Sequence, residues 1–248
     1  MQIAIDKAKQ NYMGAVCVLN CNHVGRLGEY SAMAAEQGMV GLVTVNAVPA
    51  GAPFGGKARI LGTNPISFAV PAGKQPMLLV DFATTVVAEG KVRVARDKRE
   101  QLPPGYILDK EGNPSINPND FYAGGMLQFF GGHKGYALAI LVETLSGALS
   151  GAYTYDAQGK GNGAFMLAIN PGGFDEPAAV QERIDRMFGN IKAVPPAPGF
   201  KEVLIPGEPE MNNKKARSAE GIYVAADTWE GIKKVAAEFG VDADKVIA

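Results

Sequence analysis

The sequence predicts an α/β chain, and two observations carry that prediction. Short apolar runs of strand character interleave with segments of helical period along most of the 248 residues. Turns rich in glycine and proline, drawn from 31 Gly and 16 Pro, bound nearly every one of these segments. A third observation narrows the class: no Gly-x-Gly-x-x-Gly follows any strand, so the Rossmann fingerprint is missing.

In chain order, Met1 to Asn11 reads as an amphipathic helix with Ile3, Ala4 and Ala8 on one face. Gly14 to Leu19 is an apolar run suited to a buried strand. The turn Cys21-Asn-His23-Val-Gly25-Arg26-Leu-Gly28 leads into a helix over 29–37, stopped by Gly38. Strands are expected at 41–46, 66–70 and 77–85, the last ending in an acid and hydroxyls, with a Pro/Gly loop at 47–56 and the turn Gly62-Thr-Asn-Pro65 between them. A helix follows over 86–99, and residues 101–130 read mostly as loop. The glycine-rich turn Gly131 to Gly135 opens a nearly uncharged helix over 136–150. A turn at 159–163 precedes a strand over 164–169, halted by Asn170-Pro171. Helical period returns at 176–188 and 229–239, separated by the extended Val194 to Gly199 segment and a turn at 206–210. There is no internal repeat and no low-complexity tail.

Composition excludes several classes of function. Hydrophobic residues at 47% and charged residues at 20% are those of a globular chain, and the net charge of −1 argues against a nucleic-acid surface. The most basic stretch, Lys91 to Arg99, reads as a solvated face of a helix or strand. Two cysteines, Cys17 and Cys21, make neither a disulfide framework nor a four-ligand zinc site, and read as thiols of a reducing cytoplasm. No apolar run reaches membrane-spanning length and the first residues do not form a signal peptide, so the expectation is a cytoplasmic protein without a membrane or nucleic-acid partner. Metal-ligand spacings, a P-loop and a Gly-x-Ser-x-Gly elbow are also missing, so no metal site is expected.

Two turns carry the chemistry. His133 and Lys134 stand among glycines at the head of a helix, where backbone N–H groups and the helix's positive end face an anion. His23, one of only two histidines, lies in a strand-to-helix turn beside Arg26. It reads equally as a proton-exchanging group near neutral pH or as a surface or capping histidine. Asp81, at the end of an apolar strand, reads as a ribose acceptor or, better, as the cap of the next helix.

Taken together, the motifs resemble one family. Asn22-His-Val-Gly-Arg-Leu-Gly28, Ala52-Pro-Phe-Gly-Gly56, Leu61-Gly-Thr-Asn-Pro65, Asp81-Phe-Ala-Thr-Thr85, Gly132-His-Lys-Gly-Tyr136, Ile169-Asn-Pro171 and Pro206-Gly-Glu208 occur in this order. The series is similar to the malate/L-lactate/ureidoglycolate/sulfolactate dehydrogenases, which are not of the Rossmann type. Within that family the chain looks most like the hydroxycarboxylate dehydrogenases.

The resemblance implies an α/β fold in which a nicotinamide cofactor, NAD or NADP, lies on a mixed, largely antiparallel sheet flanked by helices. It implies a homodimer that interconverts a 2-hydroxy acid and its 2-oxo acid. His23 matches the family's proton acceptor. Gly25, Arg26 and Leu27 match a cofactor turn, and Leu79, Val80, Asp81, Phe82 and Ala83 a strand end that holds the cofactor. His133, Lys134 and Asn162 match further contacts, and so does the loop Gly207, Glu208, Pro209 and Glu210. Arg26 also suits a substrate carboxylate. Residues 21–210 would form the NAD(P)-binding domain, and 1–20 with 211–248 the remnant of a helical substrate and dimer domain. Family members open with a helical region containing Ser-His-Gly, a tripeptide absent here. The comparison therefore implies an N-terminally truncated chain. The alternatives to a hydroxyacid dehydrogenase are a cyclic imine reductase of the same fold, or a catalytically impaired fragment that acts in binding or dimerisation.

Overall fold

An antiparallel sheet of five strands organises the larger part of the chain. The computed structural model describes residues 1–152 and 161–246. Two compact units are formed, Met1–Gly207 and Glu208–Ala248. The first runs α1 (Gln2–Asn11), β1 (Met13–Cys21), α2 (Gly28–Ala35), β2 (Val40–Val45), β3 (Ile66–Val70), β4 (Leu78–Phe82) and α3 (Glu89–Lys98). It continues with β5 (Ile107–Leu108), β6 (Pro114–Ser115), α4 (Pro118–Tyr122), β7 (Met126–Leu127), α5 (His133–Val142), a π-helical turn (Glu143–Ala148), β8 (Asn162–Ile169) and α6 (Pro177–Lys192). The order across the large sheet is β1-β8-β2-β3-β4, and every ladder in it is antiparallel.

Register places small residues in a row across one face of this sheet. Gly14 pairs with Ala168, Ala168 with Gly41, Gly41 with Ala69, and Ala69 with Leu79. Two helices lie on that row. A Cβ at Gly14 would stand 2.0 Å from the Ala4 carbonyl oxygen of α1, and one at Gly41 2.5 Å from the Ser31 carbonyl oxygen of α2. Side-chain alternation puts Gly163 and Thr44 on the opposite face. There a Cβ at Gly163 would stand 1.8 Å from the Ser146 carbonyl oxygen, and Thr44 Oγ1 lies 2.6 Å from Ser146 Oγ. The sheet is thus covered on both sides. Its cores include Leu27 with Val43, Val45, Ala164 and Met166, and Ile5, Ala4 and Ala8 with Ala34, Met39 and Ala168.

Several elements differ from expectation for physical reasons. Ile5, not Ile3, joins Ala4 and Ala8 inward; Ile3 is 64% exposed, because one residue rotates the helix by about 100°. β1 is an edge strand with Val18 and Leu19 exposed, a position its apolar run does not reveal. Residues 101–130 hold a small sheet, β6-β5-β7, together with α4. Its two-residue strands are too short to show periodicity, although Ile107 and Leu127 are fully buried. α5 starts three residues early, at His133, and passes into the π-helical turn at Glu143. The turn expected at 206–210 is formed by Pro206 and Gly207 and passes into a helix at Glu208. Positions 159 and 160 of the turn expected at 159–163 lie outside the described residues. Lys91 to Arg99 is mainly the solvated face of α3, which Tyr122 ties to α4. The Tyr122 hydroxyl donates to Glu89 at 2.7 Å, and burial, followed by that bond, pushes the phenol up to about 12.

The second unit consists of α7 (Glu208–Glu220), α8 (Ala226–Glu238) and α9 (Ala243–Val246). α8 and α9 are joined by Trp229 Nε1 donating to Asp244 Oδ1 at 3.2 Å. Among the described residues, no helix is long and apolar enough to cross a membrane.

Two predictions follow from the packing. Gly163→Ala forces the π-helical turn off the sheet and destabilises the protein by about 3 kcal/mol. Gly90→Ala, with open space around it near the start of α3, is neutral or stabilising by about 0.5 kcal/mol; urea unfolding midpoints of the two variants compare them. The second prediction concerns Asp185 on α6, whose carboxylate accepts from the backbone N–H groups of Gln75, Lys74 and Gly73 at 3.0, 2.7 and 3.0 Å. These bonds, Gln75's first, hold it below the usual carboxylate range. Its contribution to stability is present above about pH 4 and is lost as pH falls through the lowered folded value. An acid titration of Asp185→Asn will show a shallower loss of stability below that pH than the parent chain.

Candidate active site

The sheet ends bring four distant stretches of sequence together. β1 ends at Cys21, which pairs with Asn162 at the start of β8 across a register shift after Val18. Asn162 Nδ2 lies 3.5 Å from the Asn22 carbonyl oxygen, so the turn that carries His23 starts beside β8. That turn is closed by Gly25, in the left-handed region at φ 79°, and by Tyr30 Oη donating to the Val24 carbonyl at 3.1 Å. Leu27 is buried under the sheet and anchors the end of the turn. His23 is left exposed, and its ring has no hydrogen bond or ion pair among the described residues.

Asp81 meets the same turn from the far edge of the sheet. Its Oδ2 accepts from Gly28 N–H, the first of α2, at 2.7 Å, and Arg26 Nε stands 4.0 Å away. The aspartate thus caps a helix, but the earlier α2 rather than the expected following one. A carboxylate at this position satisfies an orphan N–H and complements the helix dipole. Arg26 is turned mainly toward Glu29, at 2.5 Å. Below Asp81, Leu79 N–H donates to the Pro206 carbonyl at 2.9 Å. Gly207 lies against Leu79 with φ 103°, where a Cβ would approach Leu79 Cβ to 2.8 Å. Val80 completes this part of the strand, its carbonyl accepting from buried Ser67 Oγ at 2.7 Å.

The end of β4 then packs against the glycine turn. Phe82 meets Phe130 edge to face at 5.5 Å, and beyond Ala83 the Thr84 carbonyl accepts from Phe130 N–H at 3.1 Å. Gly131 and Gly132, both at positive φ, carry the chain into α5, whose first residues are His133 and Lys134. Both are exposed, and Phe54 lies edge to face with the His133 ring at 5.9 Å. Beside this turn is a cavity of about 390 Å³, lined by Phe54, Lys57, Glu111, Gln128 and Gly132 among others.

Two clusters of predicted residues therefore form. Arg26, Leu27 and Asp81 gather at the α2 terminus, with His23 and Gly25 in the turn that leads to it and Asn162 beside the start of that turn, and Phe82, Ala83, His133 and Lys134 gather around the glycine turn. Leu79 and Gly207 meet at the strand edge. Glu208, Pro209 and Glu210 open α7 in the second unit, placing two acids in its first turn. The sequence reading did not assign the rings of Phe54, which meets His133, and Phe130, which meets Phe82, to the site. It also missed the buried amides Asn46 and Asn64, both 0% exposed. An asparagine ending an apolar strand and another inside Gly-Thr-Asn-Pro were the available signals. Among the described residues no three His, Cys, Asp or Glu side chains gather as a metal site would require.

With this geometry in place, comparison with known proteins decides the family. Residues 1–233 match the family model described as malate/L-lactate dehydrogenase. The chain belongs to that family. It is an oxidoreductase family, and the fold agrees. The malate/(S)-sulfolactate dehydrogenase of Methanothermus fervidus is 38% identical over 251 residues, covering 98% of this chain and 72% of that protein. The solved sulfolactate dehydrogenase from Methanocaldococcus jannaschii superposes with a TM-score of 0.89 at 38% identity, covering 98% of this chain and 72% of its own. A Δ1-piperideine-2-carboxylate reductase from Pseudomonas syringae pvar. tomato superposes with a TM-score of 0.78 at 29% identity, covering 93% and 70%.

Asp81→Ala removes the α2 cap and is expected to cost about 1 kcal/mol of stability. Thermal melts of Asp81→Ala beside Asp81→Asn measure how much of that loss belongs to the charge.

Proposed function

We propose that the chain binds a nicotinamide dinucleotide across the α2 turn, the end of β4 and the head of α5, and interconverts a 2-hydroxy acid and its 2-oxo acid. The observation that carries this reading is the joining of the His23 turn to Asp81 through the Gly28 N–H at 2.7 Å. It ties the turn that carries an exposed imidazole with no hydrogen-bond partner among the described residues to a carboxylate at the strand end. The donor set fits such a cofactor. Lys134 and the first N–H groups of α5 suit phosphate, and Asp81 suits a hydroxyl. Gly25, with nothing within 4 Å of a Cβ built on it, leaves the surface open. Leu79 to Ala83, Asn162 and Gly207 supply the remaining contacts in this reading.

The cofactor, when bound, supplies the hydride chemistry. The protein's task is to orient the substrate and manage one proton. His23 takes the hydroxyl proton in oxidation and returns it in reduction. Arg26 contacts the cofactor or clamps the substrate carboxylate, and a guanidinium suits the latter through two parallel hydrogen bonds. The cofactor is NAD or NADP, and titration with each reduced form by fluorescence distinguishes them. In the same reading residues 21–210 carry the cofactor, residues 1–20 with 211–248 belong to a substrate and dimer part, and the protein is a cytoplasmic homodimer.

A second reading, reduction of a cyclic imine, is favoured by the structural likeness to the piperideine carboxylate reductase. A panel of 2-oxo acids against cyclic imino acids separates the two. For His23→Ala the expectation is a turnover lower by about 10² to 10⁴ with cofactor affinity within about twofold. Equal losses in both would remove His23 from proton transfer, and a chain that binds neither NADH nor NADPH would remove the whole reading.

A further inference from the structure

A carboxylate lies in the core beneath the candidate site. Glu143 is 5% exposed and stands where α5 passes into the π-helical turn. Its Oε1 accepts from Asn46 Nδ2 at 3.0 Å and its Oε2 from Asn64 Nδ2 at 2.9 Å. Neither amide can turn over without loss. Asn46 Oδ1 accepts from Gly163 N–H at 2.6 Å, and Asn64 Oδ1 from Ala47 N–H at 3.2 Å. The two NH₂ groups also donate to the carbonyls of Ala152 at 2.7 Å and Ala139 at 3.0 Å. Each asparagine must therefore show its NH₂ side to Glu143, and a group that accepts at both of its ends is what fits between them.

This cluster joins the segments that carry the candidate cofactor contacts. Asn46 follows β2 and holds Gly163, the neighbour of Asn162. Asn64 precedes β3. Glu143 ends the helix whose first turn holds His133 and Lys134, ten residues or about 15 Å along its axis. The front of that helix is held separately, by Gly135 N–H donating to the Phe130 carbonyl at 2.9 Å and Phe130 N–H to the Thr84 carbonyl at 3.1 Å. A rod is aimed only when both ends are fixed.

We propose that Glu143 is a positioning residue for the nicotinamide site, clamping Asn46 and Asn64 so that the His133–Lys134 turn and the start of β8 keep their places. The proposal rests on the cofactor reading above. It assigns Glu143 no contact with cofactor or substrate.

An exchange of hydrogen-bonding roles tests it. Glu143→Gln keeps the shape but turns an NH₂ toward one of two NH₂ groups. The added Asn64→Asp, whose carboxyl is held protonated by burial, donates its O–H to the Ala139 carbonyl, accepts from the new NH₂ at the same oxygen and still receives the Ala47 N–H at the other. The single variant is expected to weaken binding of NADH or NADPH, whichever the parent binds, by about tenfold. The double variant is expected to return to within about threefold of the parent. Amide hydrogen exchange of the cofactor-free chain is expected to quicken at 131–136 and 161–164 in the single variant and to slow again in the double. A lower melting temperature with unchanged affinity and unchanged exchange at those amides overturns the proposal, as does failure of the double variant to recover either. If Glu143→Gln does not fold, Asn46→Ser removes one arm of the clamp and is judged by the same two measurements. A parent that binds neither cofactor refutes the cofactor reading, and the exchange measurement then decides the clamp by itself.

Discussion

The spacing between the sheet and its covering helices is set by backbone contact at glycine. α1 rests on β1 at Gly14, α2 on β2 at Gly41, and the π-helical turn on β8 at Gly163, each so closely that a methyl group would overlap a carbonyl oxygen. Close packing leaves no slack to absorb such a group. Because α2 is seated this near to β2, its first N–H reaches the carboxylate at the end of β4, two strands away. Because the π-helical turn is seated this near to β8, the amide of Asn46 spans from one to the other. The candidate site inherits its geometry from these contacts.

β8 is the strand on which this arrangement turns. It pairs with β1 on one side and β2 on the other, although more than a hundred residues separate it from both. Its first residue stands opposite the last of β1, so the His23 turn begins where β8 begins. β4 closes the other end of the sheet and delivers Asp81 to the same turn. The two meet through α2, which crosses the strands between them. An antiparallel sheet of this order needs no Gly-x-Gly-x-x-Gly turn. In the reading proposed for the protein the anion-facing N–H groups come from α5, and the helix that Asp81 caps is a different one.

The polar residues divide into two sets by burial. Asn46, Asn64, Thr44, Ser146 and Glu143 are buried and bonded to one another or to backbone, which fixes strands against helix. A half-satisfied group at that depth is costly, so such clusters hold one arrangement. His23, Arg26, His133 and Lys134 are exposed, which leaves them able to meet a ligand. In the reading proposed for the protein, the first set aims and the second set touches.

The sequence by itself determined most of the elements, because apolar period and turn residues act locally. β3 was placed to the residue, and α1, α2, β2, β4, α3 and α8 to within a few. The ordered series of motifs was enough to indicate the family. Tertiary structure alone decided that β1 is an edge, that Ile5 faces inward rather than Ile3, and that residues 101–130 fold into a small sheet. It alone decided that Asp81 caps α2, and that Glu143 lies between two asparagines 79 and 97 residues away. Periodicity records which residues turn inward, but partner identity depends on the register between distant strands. That register is a property of the packed sheet, and no local stretch of residues contains it.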